Sequence, residues 1–196
     1  MYKIENIKPY YKKEEIKMKK LWLVGLIILV FTVGCASLGN TPTARVEELL
    51  RRYQNHSDPV LIELGDFLDS LDLDLDVRDD YHAIYLRQYQ DMEFEVQNET
   101  IEGDRAVVTV LVRVYDYYRA NIEINNFIAS NPNEFLDEEG NFSQALAFRH
   151  RIDELSRVTN RVEHTIDFVL TRADEEWRID TLTIDILEKL HGTFPY

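Results

Sequence analysis

MEFEVQNETIEGDRAVVTVLVRVY, residues 92–115, carries the chain from helical spacing into two-residue periodicity. Met92, Phe94 and Val96 alternate with Glu93, Glu95 and Gln97, and Val108, Val110, Val112 and Val114 line one side of a longer run. Successive side chains of a strand point to opposite faces, so each run reads as a half-buried strand. Glu102-Gly103-Asp104 reads as the turn between them. Pairing Ile101 with Arg105 sets Val96 against Val110, Phe94 against Val112 and Met92 against Val114. Six apolar side chains then share one face, as a two-faced hairpin requires.

Upstream of this hairpin the spacing is helical. Thr41-Pro42 supplies an N-cap and a first-turn proline, and Val46, Leu49, Leu50 and Tyr53 recur at helical intervals to about Gln54. Asp58-Pro59 opens a second helix with Leu61, Ile62, Leu64, Phe67 and Leu68 inward, and a third runs from about Arg78 to Tyr89 over Tyr81, Ile84, Tyr85 and Leu86. Downstream, Ile124, Phe127 and Ile128 suggest a short helix ending near Pro132, before the acidic loop Asn133–Asn141. Ser143 caps an amphipathic helix carrying Ala145, Phe148, Ile152, Leu155 and Val158. Val162, His164, Ile166, Phe168 and Leu170 mark a third strand. Asp174–Glu176 turns it into a fourth from Trp177 to about Thr183, and Ile186, Leu187 and Leu190 suggest a final helical turn. Helices first, then two antiparallel hairpins separated by a helical insertion, is the order of an α+β domain with helices on one face of the sheet.

Composition narrows the partners. The chain carries 22 basic and 36 acidic residues, a formal net charge of −14. Residues 1–34 hold seven lysines and three glutamates, so the remainder is more acidic still, with Lys189 its only lysine. Such a surface repels phosphate backbones, and no nucleic-acid partner is expected. Cys35 is the single cysteine, which excludes a disulfide. About 155 residues can bury roughly 68–70% of their unfolded surface, enough for one core without staples.

The N-terminal region has its own pattern. Met18-Lys19-Lys20, the apolar run Leu21–Val33 and Gly34-Cys35 resemble the signal peptide and lipobox of bacterial lipoproteins, with Thr32 where leucine is usual. The apolar run fits a secretory core of about 7–15 residues and is short of the about 20 that span a bilayer. The resemblance implies a diacylglyceryl group on Cys35, a protein held to the membrane on the extracytoplasmic side of a bacterial cell envelope, and a tether over 35–40. An uncleaved N-terminal anchor is the other reading. Residues 1–17 precede Met18, the more natural start, and are assigned no fold; 18–34 form the leader and 41–196 a single α+β domain.

Two segments of the domain resemble envelope lipoproteins of the nuclear-transport-factor-2-like, cystatin-like superfamily. They are Thr41-Pro42-Thr43-Ala44-Arg45-Val46-Glu47-Glu48-Leu49-Leu50, and Phe168-Val169-Leu170 through Glu176-Trp177-Arg178-Ile179 with its Trp-x-Ile ending. The resemblance implies a curved antiparallel sheet wrapped on the N-terminal helices, cone-like, with a pocket at the open end. It assigns no activity.

Four residues are candidates for that pocket. Asp116 is the first ionisable group on the even-numbered face of the second strand, and His164 lies between Val162 and Ile166 on the inward face of the third. With Tyr85 and Trp177 they would line the cone. A carboxylate and an imidazole there could serve acid–base work, or could be an exposed strand end and a core histidine. Tyr115, Tyr117 and Tyr118 beside Arg113 and Arg119 could form a carbohydrate- or peptide-contacting patch, or belong to core and sheet. Asp72, Asp74 and Asp76 are spaced for a cation, yet an EF-hand counted from Asp72 meets Val77 where glycine belongs and Ala83 where glutamate belongs. No metal site, cofactor or catalytic residue is assigned, because the chain has no phosphate loop, nucleophile elbow or paired-histidine motif. The expectation is a non-enzymatic lipoprotein binding a small apolar ligand or an envelope protein. An isomerase- or hydrolase-like enzyme using Asp116 and His164, and a structural assembly factor, are the alternatives.

Overall fold

The two strands read from residues 92–115 form a hairpin, and a bulge corrects its register. A computed structural model describes residues 39–70 and 75–196. In it β1 (Glu93–Glu102) pairs antiparallel with β2 (Arg105–Tyr115), with Phe94 opposite Val112 and Val96 opposite Val110 as the alternation dictates. At Gln97 the register slips by one, so Ile101 faces Ala106 rather than Arg105, and Glu102 faces Arg105. The turn is therefore two residues, Gly103-Asp104. Gly103 stands at φ +62 and Asp104 does not share the positive φ, the pattern of a type II′ hairpin turn.

The bulge has a second consequence. A one-residue slip moves every following side chain to the opposite face, and so turns Glu99 toward the helices. The first helix, α1 (Pro42–Gln54), begins there: the Thr43 backbone N–H and hydroxyl donate to Glu99 Oε2 at 2.9 and 2.7 Å. An edge-strand carboxylate thus meets the unsatisfied donors and positive end of α1.

The remaining elements are α2 (Asp58–Asp69), α3 (Leu75–Gln90), α4 (Tyr117–Ser130), a 3-10 turn (Pro132–Phe135), α5 (Gln144–Ser156), β3 (Arg161–Ala173), β4 (Glu176–Ile179) and α6 (Ile184–His191). The sheet is antiparallel, in the order β1-β2-β3-β4, curved and unclosed, and the insertion α4–α5 lies between its two hairpins. The class is α+β. Residues Pro42–Tyr196 form one compact unit.

One face of the sheet is dry. Val108, Val110, Val112, Val114, Ile166, Phe168 and Leu170 pack with Val46, Leu50 and Tyr53 of α1, Leu64 and Leu68 of α2, Tyr89 of α3 and Leu190 of α6. The other face carries ion pairs, with Arg113 between Glu93 and Glu163. A smaller cluster of Ile84, Tyr115, Tyr117, Ile124 and Leu155 joins the insertion to α3.

Several boundaries differ from the periodicity. α3 starts three residues before Arg78, at Leu75. Ile62 is 65% exposed because Val60, Leu64 and Leu68 form the inward stripe of α2. On α5 Ala147 is buried and Ala145 exposed. β4 stops at Ile179 rather than near Thr183, and the final turn is a helix of eight residues, Ile184–His191. The leader and Cys35 lie outside the described residues, as does most of the Asp72–Asp76 run. Among the described residues no helix is long and apolar enough to cross a membrane.

Candidate functional site

Asp116 leaves the valine face. β2 ends at Tyr115, and Asp116 becomes the N-cap of α4: its Oδ1 accepts from the Arg119 backbone N–H at 3.0 Å. The other oxygen accepts from the Tyr196 hydroxyl at 2.5 Å, and its own N–H donates to the Asn160 carbonyl. The residue is 94% buried yet fully engaged, because a polar residue at a strand's end is well placed to start a helix.

His164 does lie on the helix-facing side of β3, opposite Val112. Phe194 meets it edge-on at 5.8 Å between ring centroids, and Tyr196 lies at 6.4 Å. Its Nε2 is shielded from solvent and has no partner among the described residues. Burial holds its pKa below the ordinary histidine value, Lys189 adds to that, and Asp116 opposes it. Tyr196 thus stands between Asp116 and His164. Asp116 lines a groove of about 500 Å³ between α4 and α5 with Arg119, Glu123, His150, Glu154 and Arg157, and His164 is not part of it.

Tyr85 and Trp177 go elsewhere. Trp177 packs in the main core beneath α1, with the Arg172 guanidinium 5.9 Å from its ring. Tyr85 is in edge contact with Phe67 at 5.4 Å and Tyr117 at 6.3 Å. The four sequence candidates are therefore dispersed. Tyr115 and Tyr117 are buried rather than displayed as a patch, with Arg87 and Arg161 guanidiniums 4.1 and 4.9 Å from the Tyr115 ring.

Tyr85 does line a cavity, one walled by five helices. Phe67 comes from α2, Tyr81, Ile84 and Tyr85 from α3, Tyr117 and Asn121 from α4, Phe148, Arg151 and Leu155 from α5, and Ile184, Leu187, Glu188 and His191 from α6. Its volume is about 500 Å³, inside the range of about 300–1,000 Å³ of small-molecule sites. Burial raises the pKa of Tyr81, so a hydroxyl rather than a phenolate faces the cavity. His191 is pushed down to about 4 by burial and is neutral at physiological pH. Its Nε2 is 2.8 Å from the Tyr89 hydroxyl, and its ring lies 4.8 Å from Phe67 and 5.1 Å from Tyr85. The arrangement can hold a flat or flexible apolar body against ring faces and edges. It holds no nucleophile beside a base. Among the described residues no group of three or more His, Cys, Asp or Glu side chains converges as for a metal ion.

The sequence carried a signal for part of this wall. Ile184, Leu187, Glu188 and His191 stand at i, i+3, i+4 and i+7, as do Phe148, Arg151 and Leu155 at i, i+3 and i+7, each a single helix face. The glutamate and arginine disguise these faces as solvated ones.

No family model matches the chain, and no curated protein matches it. Among solved structures it is similar to a presumptive lipoprotein, YcdA, of Bacillus subtilis subsp. subtilis str. 168, at 14% sequence identity and a TM-score of 0.42. The similarity covers 82% of this chain and 51% of the other, so the chain spans about half the length of that protein.

Proposed function

We propose that this is a lipid-anchored extracytoplasmic binding protein, attached through Cys35, that holds a small, largely apolar ligand in the cavity between α2, α3, α4, α5 and α6. The observation that carries the reading is the cavity itself: about 500 Å³ lined mainly by aromatic and aliphatic side chains, with no reacting pair of groups in its wall. The lipobox-like Gly34-Cys35 behind an apolar run supports the anchor. Two acyl chains hold a protein stably where one does so only marginally. The acid–base alternative would require the Tyr196 hydroxyl to leave Asp116 before that carboxylate could act on anything else.

The two halves of the reading are tested separately. Radiolabelled fatty acid should enter the wild-type chain and not Cys35→Ser in the native host; equal labelling ends the anchor. For the cavity, Ile184→Trp places a bulky ring at a position that is 66% exposed, where folding tolerates it. An environment-sensitive apolar dye should bind the wild type saturably and the variant at least about tenfold more weakly, with an unchanged melting temperature. Equal binding by both would remove the cavity as the site.

A further inference from the structure

Arg151 is out of keeping with its surroundings. Most arginines of the domain lie within salt-bridge distance of a carboxylate, including Arg45, Arg78, Arg87, Arg113 and Arg161. In so acidic a domain that is the expected state of a guanidinium. Arg151, half-buried on α5, has no carboxylate partner among the described residues, although Glu63 and Glu188 line the same cavity. One Nη donates to the Asn125 side-chain oxygen at 2.5 Å, and the guanidinium is near enough to Tyr81 to oppose the rise that burial gives that hydroxyl's pKa. Its Nε–H is shut away from solvent with no acceptor. Arg45 also has an unpaired Nε, but that guanidinium is held by Glu48. A buried donor left without an acceptor is destabilising. An acceptor that arrives with a ligand recovers this.

We propose that the cavity's ligand is an amphipathic monoanion, an apolar body bearing one carboxylate, and that Arg151 takes the carboxylate while Tyr81, Tyr85 and Phe148 take the body. This rests on the cavity being the binding site, as proposed above. The Nε–H and the adjacent Nη–H of a guanidinium point the same way in one plane, the fork that matches both oxygens of a carboxylate, and a side-chain rotation that turns this edge into the cavity presents it to the ligand. The domain's overall negative charge does not oppose this at physiological salt. The Debye length there is about 8 Å, so carboxylates farther off are screened. Glu63, which accepts from the Tyr53 hydroxyl, and Glu188 share the cavity wall with Arg151, and the comparison of decanoate with decylammonium weighs them against it.

The test uses three probes with one tail: decanoate, decanol and decylammonium, titrated by calorimetry into the wild type, Arg151→Met and Arg151→Lys. Wild type should bind decanoate at least about tenfold more tightly than decanol, and decylammonium least. Arg151→Met should bring decanoate down to the level of decanol, and Arg151→Lys should restore part of the difference. Equal wild-type affinity for decanoate and decanol, or a preference for decylammonium, overturns the assignment of the headgroup and leaves the cavity as a site. Failure of all three to bind the wild type overturns the cavity reading and this inference with it. The wild-type comparison alone decides the matter if Arg151→Met does not fold.

Discussion

Gly192 ends α6 at φ +73, and no other residue type fits there. A Cβ would come within 2.0 Å of the Tyr115 carbonyl oxygen and 2.3 Å of Gln88 Nε2. Those two atoms are themselves bonded: the fully buried Gln88 amide donates to the Tyr115 carbonyl at 3.1 Å and accepts from the Tyr115 N–H at 2.8 Å. Gly192 also accepts from the Tyr118 N–H at 2.8 Å. One glycine therefore locks α6 to the end of β2 and the start of α4. Gly192→Ala combines a backbone clash with a strained φ and should cost more than about 3 kcal/mol in urea unfolding. The adjacent His191 makes stability pH-dependent. Its folded pKa of about 4 lies below the unfolded value, so the unfolded chain binds the proton more readily. Stability is full above about pH 6.5 and declines as pH falls toward 4, by up to about 3 kcal/mol for this residue; burial of His164 acts in the same direction. His191→Phe orphans the Tyr89 hydroxyl and lowers stability at neutral pH, but urea midpoints measured at pH 7.5 and 5.0 should lie closer together than in the wild type. An unchanged separation would assign the acid sensitivity to other groups.

The two hairpin turns differ in how well their residues suit them. Gly103 meets the positive φ of the first turn, whereas the second places Asp174 at φ +52 and Glu175 at φ +65. Left-handed backbone costs a non-glycine residue about 1–2 kcal/mol. Asp174→Asn with Glu175→Gly, the pair favoured in such turns, should raise stability by about 1–2 kcal/mol; no gain in melting temperature would mean the strain is relieved elsewhere. Glu99→Ala should cost about 1 kcal/mol by uncapping α1. These details separate what the chain discloses from what it conceals. The faces of β2 and β3 are legible because alternation of valines with polar residues has one solution. The bulge is not, since Gln97, Asn98 and Glu99 are all polar and either register exposes a plausible side chain. Asp116 reads as a pocket carboxylate because a polar residue after Val114 and Tyr115 suits a strand end and a helix cap equally. Tyr85 is legible as part of an apolar stripe. Arg151 is not, because a charged residue on a helix ordinarily faces water.

For the molecule as a whole, an acidic domain and the lipid anchor proposed at Cys35 are compatible. From Cys35 to Pro42 the chain can span about 25 Å at most, so the proposed anchor would keep the domain beside the bilayer while its charge would keep it from lying on anionic headgroups. Helices that pack in the main core and helices of the α4–α5 insertion wall the cavity together. Methyl-resolved NMR of the chain titrated with decanol tests this arrangement most directly. The methyl signals of Ile84, Leu155, Ile184 and Leu187 should shift together and saturably, while those of Val108, Val110 and Val112 hold still. Saturable shifts confined to Ala120 and Ile124 in the charged groove, or no saturable shift at any methyl, would contradict a ligand site among the five helices.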